Sequence, residues 1–578
     1  MSATQIDAGV PPKSVSPIFS RVAWGGCLLA LLLTGMILVP LLTLLRTSVT
    51  PAGSLPFETV AVTFVNFVEL FSSSDTPILL ANTLIYATGA MFFALVVATA
   101  AAWLTERTDM PGRVAIRVLM MSWLAVPPLV FGYGWILLIN PGNGALNALA
   151  MNLFGLSAPP FKIYSLWSLI LITGIVLTPT GYIMIAGLLR NMDPQLERAG
   201  GLAGAGSFTV MRRITLPLLS PGLLSISIFM FMSVIQTFDL PAIIGMTAQI
   251  PVLSTRVYLL SSPDMGIPNY GLSAALGVML LVLAIALVQI YFRFVGIGER
   301  FRTVSGKGFR PSRMTLGGWR YVALALLVVY VVIAILPILI LAWTSLQPFY
   351  RTPSIEALSS LSLATYRRVL NLALVQRGLV NTVILVLCSA TLVMALSSVV
   401  SWYCVRGRGA LARYLEIICF APTAVPPIVI VMAIMLLYLR SPIYGTVWIL
   451  VLAHTTSFIA FGTRTMTGAL VQLHKELGDA ALMTGASWLT TLRRVIAPMV
   501  WPQILNGWIW VAAHSARDLT VPMVLMTSGN MVVSTVIWMM WDLPDLPGAA
   551  AVAMLLVAGL MAIVLPVQIF ASRQLDRG

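Results

Sequence analysis

The sequence predicts an all-α polytopic membrane protein of about twelve transmembrane helices, built as two parallel six-helix repeats. Composition, the spacing of apolar runs and an internal duplication predict it. Of 578 residues, 59% are hydrophobic and 9% charged, whereas soluble domains carry about 25% charged residues. A water-soluble globular fold and a disordered chain are both excluded. The formal net charge of +15 would need a polar surface to serve nucleic-acid binding. The chain has none, so its basicity reads as membrane topology.

A bilayer core of about 30 Å needs roughly 20 apolar residues per helix. Twelve runs reach that length, at 22–45, 79–104, 118–139, 164–189, 219–244, 272–294, 321–343, 380–405, 414–439, 444–466, 500–526 and 549–571. The first is too long for a signal-peptide core and lacks a persuasive cleavage site, so it reads as a span preceded by a polar tail. Val-Pro-Pro at 126–128 and 425–427 predicts kinks in the third and ninth runs, because proline removes a backbone donor. Cys27, Cys388, Cys404 and Cys419 lie in apolar runs without a C-x-x-C pair. They indicate neither a disulfide framework nor a zinc site and read as small buried hydrophobes. The 29 Met and 15 Trp are scattered and read as core or lipid-facing packing.

With a cytoplasmic N-terminus, twelve spans return the C-terminus to the cytoplasm. That side then carries 25 Lys/Arg and 10 Asp/Glu, the other 9 and 9. The whole excess of 25 − 10 = 15 positive charges is cytoplasmic, the bias that a correct topology shows.

Two halves repeat. Asn82, Thr83, Trp103, Arg107 and the AVPP from Ala125 to Pro128 recur as Asn381, Thr382, Trp402, Arg406 and Ala424 to Pro427, at an offset of 299. Further on, Gly204, Arg212, Arg213, Pro217, Pro221 and Pro241 recur as Gly485, Arg493, Arg494, Pro498, Pro502 and Pro522, at an offset of 281. The difference places 18 extra residues in the first half, in an outer loop, where insertions are tolerated. The expected organisation is a cytoplasmic tail over 1–21, a first repeat over 22–296, a basic linker over 297–320, a second repeat over 321–572 and a tail over 573–578. An even number of spans makes the repeats parallel, related by a pseudo-two-fold axis along the membrane normal.

Two cytoplasmic loops carry the most information. Leu196 to Pro221 and Leu477 to Pro502 each combine an acidic start, small residues, a Gly and, thirteen residues later, a Pro. Small side chains allow close approach of a partner, and Gly204 and Gly485 suit a left-handed helix cap. A short helix seated in a partner's groove is one reading; an interfacial helix is the other. Arg212, Arg213, Arg493 and Arg494 read first as topology determinants.

These loops resemble the "EAA…G…LP" loop of inner-membrane permeases of ATP-binding-cassette importers. The second copy follows the pattern as Asp479, Ala480, Ala481, Gly485 and Pro498, with Asp for Glu. The first departs at two positions, as Arg198, Ala199, Gly200, Gly204, Leu216 and Pro217, with Glu197 one place early. The resemblance implies the type I importer permease fold (MetI-like), with each loop a coupling helix seated on one of two cassette ATPase subunits. A fused twelve-span chain resembles the iron(III)-type and thiamine-type permeases. The resemblance then implies an extracytoplasmic solute-binding protein, residence in the bacterial inner membrane, no directly bound cofactor, ATP and Mg in the partner ATPase, and ferric iron as cargo. Thiamine, polyamine or phosphonate are the alternatives.

Charged residues are expensive within a bilayer and need a reason. Gln236 and Asp239 near the outer end of the fifth run, and His514, Arg517 and Asp518 in the eleventh, flank matched prolines and are candidates for a path or gate. The alternative for Arg517 and Asp518 is an ordinary interfacial pair. His454 reads as a packing residue, and His474 has no ligand partner nearby, so no metal site is expected. No Walker A, H-E-x-x-H or G-x-S-x-G sequence occurs, so the chain reads as a non-enzyme. An ion-coupled secondary transporter is the competing class. It would want more carboxylates within the spans and has no use for two matched loops.

Overall fold

A computed structural model describes residues 17–577 apart from 52, 59, 263–266, 301–312, 408, 474–482 and 484–487. The first half comprises α1 (Gly25–Ser48), α2 (Asp75–Arg107), α3 (Arg113–Ser122), α4 (Pro128–Ile139), α5 (Leu166–Asn191), α6 (Gln195–Leu202), α7 (Ser207–Gln236), α8 (Leu253–Ser261) and α9 (Tyr270–Phe294). The second comprises α10 (Trp319–Ser345), α11 (Ala373–Arg406), α12 (Ala410–Ala424), α13 (Pro427–Tyr438), α14 (Val447–Val471), α15 (Arg493–Arg517), α16 (Val533–Asp542) and α17 (Leu546–Pro566). The protein is all-α. The counterpart of α6 lies outside the described residues.

Ten of these helices are long and apolar enough to cross a membrane alone, and α12 with α13 forms an eleventh unit bent by 108°. Ten to eleven candidate spans among the described residues accord with the about twelve helices expected, and the kinks expected at the two Val-Pro-Pro motifs are full breaks. The third and ninth runs are broken helices, each divided at its Val-Pro-Pro. The second Pro of each motif, Pro128 or Pro427, opens a new helix, where its missing N–H and fixed φ suit the first turn. The fifth and eleventh runs also stop early, at Gln236 and Arg517 rather than 244 and 526.

The most extensive packing within each half joins α2 to α5 and α11 to α14. Ala90, Ala94, Ala98 and Ala101 are wholly buried along α2. Without a hydrophobic force between helices in lipid, such small residues allow the close backbone approach that packing requires. A Cβ at Gly174 would lie 2.6 Å from Phe93, and one at Gly462 would run into the Ser397 hydroxyl. Gly181 and Gly462 are repeat equivalents, and both mark this close approach.

The halves exchange their first helices. Leu29, Ala30, Leu33 and Ile37 of α1 join Leu415, Ile418 and Cys419 of α12 in one buried cluster. Reciprocally, Leu327 of α10 is buried with Ile116 and Met120 of α3. The half-helices α4 and α13 sit innermost, buried from Leu129 through Ile139 and from Ile428 through Leu436, as a helix apolar on all sides must be. The end of the linker laces onto the first half: Met314 N–H donates to the Arg107 carbonyl at 2.9 Å and Ser207 Oγ to the Thr315 carbonyl at 2.8 Å.

The Gly462 contact yields a prediction. Gly462→Leu overpacks the α11–α14 seam and is expected to lower stability by about 1–3 kcal/mol, read as a lower thermal midpoint of the purified chain in nanodiscs. Gly187→Leu, whose added Cβ meets nothing within 4 Å, is expected to leave the midpoint in place. Equal midpoints for both variants would refute the packing argument.

Candidate functional site

The site is built from two breaks. Proline has no N–H for the carbonyl four residues earlier. Pro241 thereby orphans the Thr237 carbonyl, and Pro522 orphans that of Asp518. The chain opens at those residues into extended backbone, with ψ of 132° at Thr237 and 134° at Asp518. Each orphan is then satisfied from the outer segment. Ser254 Oγ of α8 donates to the Thr237 carbonyl at 2.8 Å, and Ser534 Oγ of α16 to the Asp518 carbonyl at 2.8 Å.

The repeated Asn-Thr pair holds those outer segments in place. Asn82 Nδ2 donates to the Pro251 carbonyl at 3.3 Å and Leu253 N–H to Thr83 Oγ1 at 3.0 Å. In the second half Asn381 Nδ2 donates to the Met531 carbonyl and Val533 N–H to Thr382 Oγ1, each at 2.8 Å. The Asn-Thr pair served above only as a marker of duplication. The matching signal in the outer segments was the recurrence of Val252-Leu-Ser-Thr255 as Val532-Val-Ser-Thr535.

The two breaks meet. Thr520 Oγ1 donates to Asp239 Oδ1 at 3.1 Å, and 520 − 239 = 281 is the repeat offset. Two pseudo-equivalent residues touch only beside the axis that relates them, so this bond straddles the pseudo-two-fold axis. Arg517 Nη2 lies 3.0 Å from His514 Nε2, and His514 Nδ1 lies 2.9 Å from the Trp510 carbonyl. The carbonyl fixes Nδ1 as the protonated nitrogen and leaves Nε2 to accept from the guanidinium. Asp518 Oδ2 accepts from Val521 N–H at 2.9 Å and lies 3.4 Å from Nε2 of the wholly buried His454. Gln236, half-buried at the end of α7, occupies the register of Arg517. All five candidate path residues therefore fall at the two breaks. A cavity of about 120 Å³ opens beside them, lined by Trp123, Phe131, Thr173, Thr180, Thr237 and Arg517 among others.

The Leu196 to Pro221 loop of the first half begins with the helix α6, closed by Gly204 at φ +83°. Ala205 N–H donates to the Gly200 carbonyl at 3.1 Å, a Schellman-type closure. Glu197 turns inward. It is buried, lies 3.3 Å from Arg107 Nε, and accepts from Thr215 Oγ1 at 2.7 Å. Arg107 Nη2 also donates to the carbonyls of Leu189 and Met192, at 2.7 and 2.9 Å. The neighbouring Glu106 receives Arg190 at 2.7 Å and Arg117 at 3.3 Å. Arg198, Ala199 and Pro217 are exposed, as are Arg212 and Arg213. Those two arginines lie in a π-helical turn, Met211–Thr215, that recurs over Leu492–Ile496. Pro498 is exposed like Pro217. Asp479, Ala480, Ala481 and Gly485 lie outside the described residues, as does His474.

Residues 94–296 and 392–573 each match the family described as binding-protein-dependent transport system inner membrane component. The chain belongs to this family. The two matched stretches begin at nearly equivalent points of the repeats, so the inner membrane component unit occurs twice in one chain. A ferric transport system permease protein of Actinobacillus pleuropneumoniae is 23% identical over 454 residues, covering 76% of this chain and 64% of that protein. The chain thus spans just under two thirds of that relative's length. An Fe(3+)-transport system permease protein of Haemophilus influenzae is 21% identical over 486 residues, covering 82% of this chain and 85% of its own. A spermidine/putrescine transport system permease protein of the same organism is 30% identical over 133 residues, 23% of this chain and 50% of that protein.

Sequence reasoning missed the role of Arg107, although its recurrence as Arg406 was visible. A charge at the end of an apolar helix reads as topology until its carboxylate partner is seen. Removing one member of a buried ion pair strands the other at a cost of about 3–5 kcal/mol. Glu197→Ala is therefore expected to lower the thermal midpoint sharply. The double variant Arg107→Met with Glu197→Leu should recover most of the loss. A midpoint unchanged in Glu197→Ala would show that the pair holds nothing.

Proposed function

We propose that this chain is the permease subunit of an ATP-binding-cassette importer in the bacterial inner membrane, with both termini cytoplasmic and ferric iron as cargo. One observation carries the reading: two matched broken helices meet across the pseudo-two-fold axis at Asp239 and Thr520, 3.1 Å apart. A duplicated inner membrane component with its polar residues on that axis supplies both walls of a path near the midplane. The ferric permeases among its relatives support the cargo. The polyamine permease, 30% identical over 133 residues, favours polyamine as the second reading.

The proposed mechanism is alternating access. A loaded extracytoplasmic binding protein docks outside, and two partner ATPase subunits, holding ATP and Mg, close inside. The coupling loops carry that closure to the breaks. The energy of the cycle is the difference in ATPase contact between inward- and outward-facing states. Within this reading Glu197 anchors the first loop from below, and the face left for the ATPase carries large apolar side chains beside the exposed Arg198. Leu202 is 91% exposed and Phe208 69%, beside the exposed Leu196 and Ala199. Asp479, Ala480, Ala481 and Gly485 would serve the second subunit.

The test is ATP hydrolysis by the chain with a co-expressed cassette ATPase in nanodiscs, with and without iron-loaded binding protein. Stimulation by the iron-loaded form is expected. A stable complex stimulated by polyamine-loaded protein instead would overturn the ferric cargo, and no complex would overturn the importer assignment. Leu202→Asp with Phe208→Asp is expected to cut ATPase co-purification at least about tenfold, as loss of about 1.4 kcal/mol or more would. The thermal midpoint of the chain alone should stay unchanged. Undiminished co-purification would count against this face as the docking surface.

A further inference from the structure

The helix ends locate the 18 extra residues of the first half. α4 and α13 stop at equivalent residues, Ile139 and Tyr438, and α5 and α14 start at equivalent residues, Leu166 and Val447. The connection between them is 165 − 139 = 26 residues long in the first half and 446 − 438 = 8 in the second, a difference of 18. Where the second half has a short turn, the first carries a ten-residue helix, Ala145–Phe154, and a segment that returns from it to α5.

Both parts are fastened. Asn147 is buried, and its Nδ2 lies 3.0, 3.1 and 3.0 Å from the carbonyl oxygens of Ile139, Asn140 and Phe161. Its Oδ1 accepts from Phe161 N–H at 3.0 Å. Ser168 Oγ donates to the Lys162 carbonyl at 2.6 Å, and Gly142 N–H to Asn140 Oδ1 at 2.8 Å. These backbone groups at the turns of the insertion find partners within the protein, the condition for backbone placed where water is scarce.

The free side of the insertion is apolar. Leu149 and Leu153, one turn apart, are 60% and 70% exposed, and Phe154 is 71% exposed. Leu156 and Phe161 of the return segment are exposed as well. In water such a face is a liability for aggregation. Lys162 is the one charged residue among the 26, so the face offers little charge to steer or orient a soluble partner. It continues instead onto α5, where Trp167 and Leu171, one turn apart, are exposed on a helix long and apolar enough to span the membrane. Tryptophan at the end of a span marks the headgroup level, and the stem of a lysine lies readily along apolar surface with its ammonium in water.

We infer that this insertion is an interfacial anchor, which lays Leu149, Leu153 and Phe154 into the boundary between lipid headgroups and acyl chains. The leaflet is the one at the Leu166 end of α5, the end away from α6. The eight-residue connection of the second half has no such element, so the anchor belongs to the first half alone. The inference goes beyond the importer reading and depends on neither the cargo nor the ATPase.

The experiment uses the full chain with a co-expressed cassette ATPase in nanodiscs of phosphatidylethanolamine and phosphatidylglycerol. The four native cysteines are replaced by alanine, and a nitroxide is attached at Leu153→Cys. Power saturation then compares its collisions with oxygen, which partitions into lipid, and with a water-soluble nickel chelate. The oxygen-to-nickel ratio is expected to stand several-fold above that of a free nitroxide in buffer. It should stay below that of Leu392→Cys, exposed near the middle of α11, because an interfacial helix sinks only about 5–10 Å into the boundary. Leu149→Cys, one turn away, should report the same ratio and serves if Leu153→Cys fails to assemble. A ratio at the buffer level at these positions would overturn the anchor. Nickel collisions that are frequent at first and fall on addition of iron-loaded binding protein would also overturn it, making the face a docking surface for that protein.

Discussion

A bilayer offers no water to a broken helix, so every carbonyl and amide freed inside it must find a partner in the protein. This chain breaks its inner helices at prolines in both halves, and the rest of the architecture follows from satisfying those breaks. Ser254 and Ser534 take the two orphaned carbonyls. To be in reach they must sit on short helices folded back into the bundle, and those helices need anchors of their own. Asn82 with Thr83, and Asn381 with Thr382, supply them. The same logic places α4 and α13 innermost: half-helices opened by proline are too short to face lipid alone.

Symmetry decides where the breaks meet, and asymmetry decides what is left between them. The duplication brings Asp239 and Thr520 together on the axis. Had the halves stayed identical, two carboxylates or two hydroxyls would have met there. The divergence to one acceptor and one donor converts a like pair into a hydrogen bond. Elsewhere divergence has moved bulk to one side. Phe458, Phe461, Trp510 and His514 stack in the second half, whereas Thr173 and Thr180 leave room in the first.

Much of this was legible in the residues. Hydropathy located every long helix, since a run of apolar residues has few other uses, and the offset of 281 identified the two breaks. Hydropathy did not tell a continuous span from a bent one: Val-Pro-Pro announces a discontinuity but not an angle of 108°. The direction in which Glu197 points was equally hidden. A carboxylate in a short amphipathic segment is expected outside, and only the juxtaposition of Arg107, some ninety residues earlier, buries it. The Asp239–Thr520 bond was implicit in the alignment of the repeats, yet contact between equivalents requires knowing where the axis passes.

One helix joins the two ends of the argument. Asn82 and Arg107 lie on α2, 107 − 82 = 25 residues apart, roughly 38 Å at about 1.5 Å per residue. At its outer end α2 holds the segment that completes the broken helix α7. At its inner end it holds Glu197 of α6 through Arg107, and through Arg107's carbonyl the linker entering α10. A continuous helix packed against α5 transmits displacement with little loss, because packed interiors are stiff. The α6 loop and the α8 segment are therefore not two remote features. They are fastened to the two ends of one rod, and what moves the loop must either move the break or tear one of the fastenings.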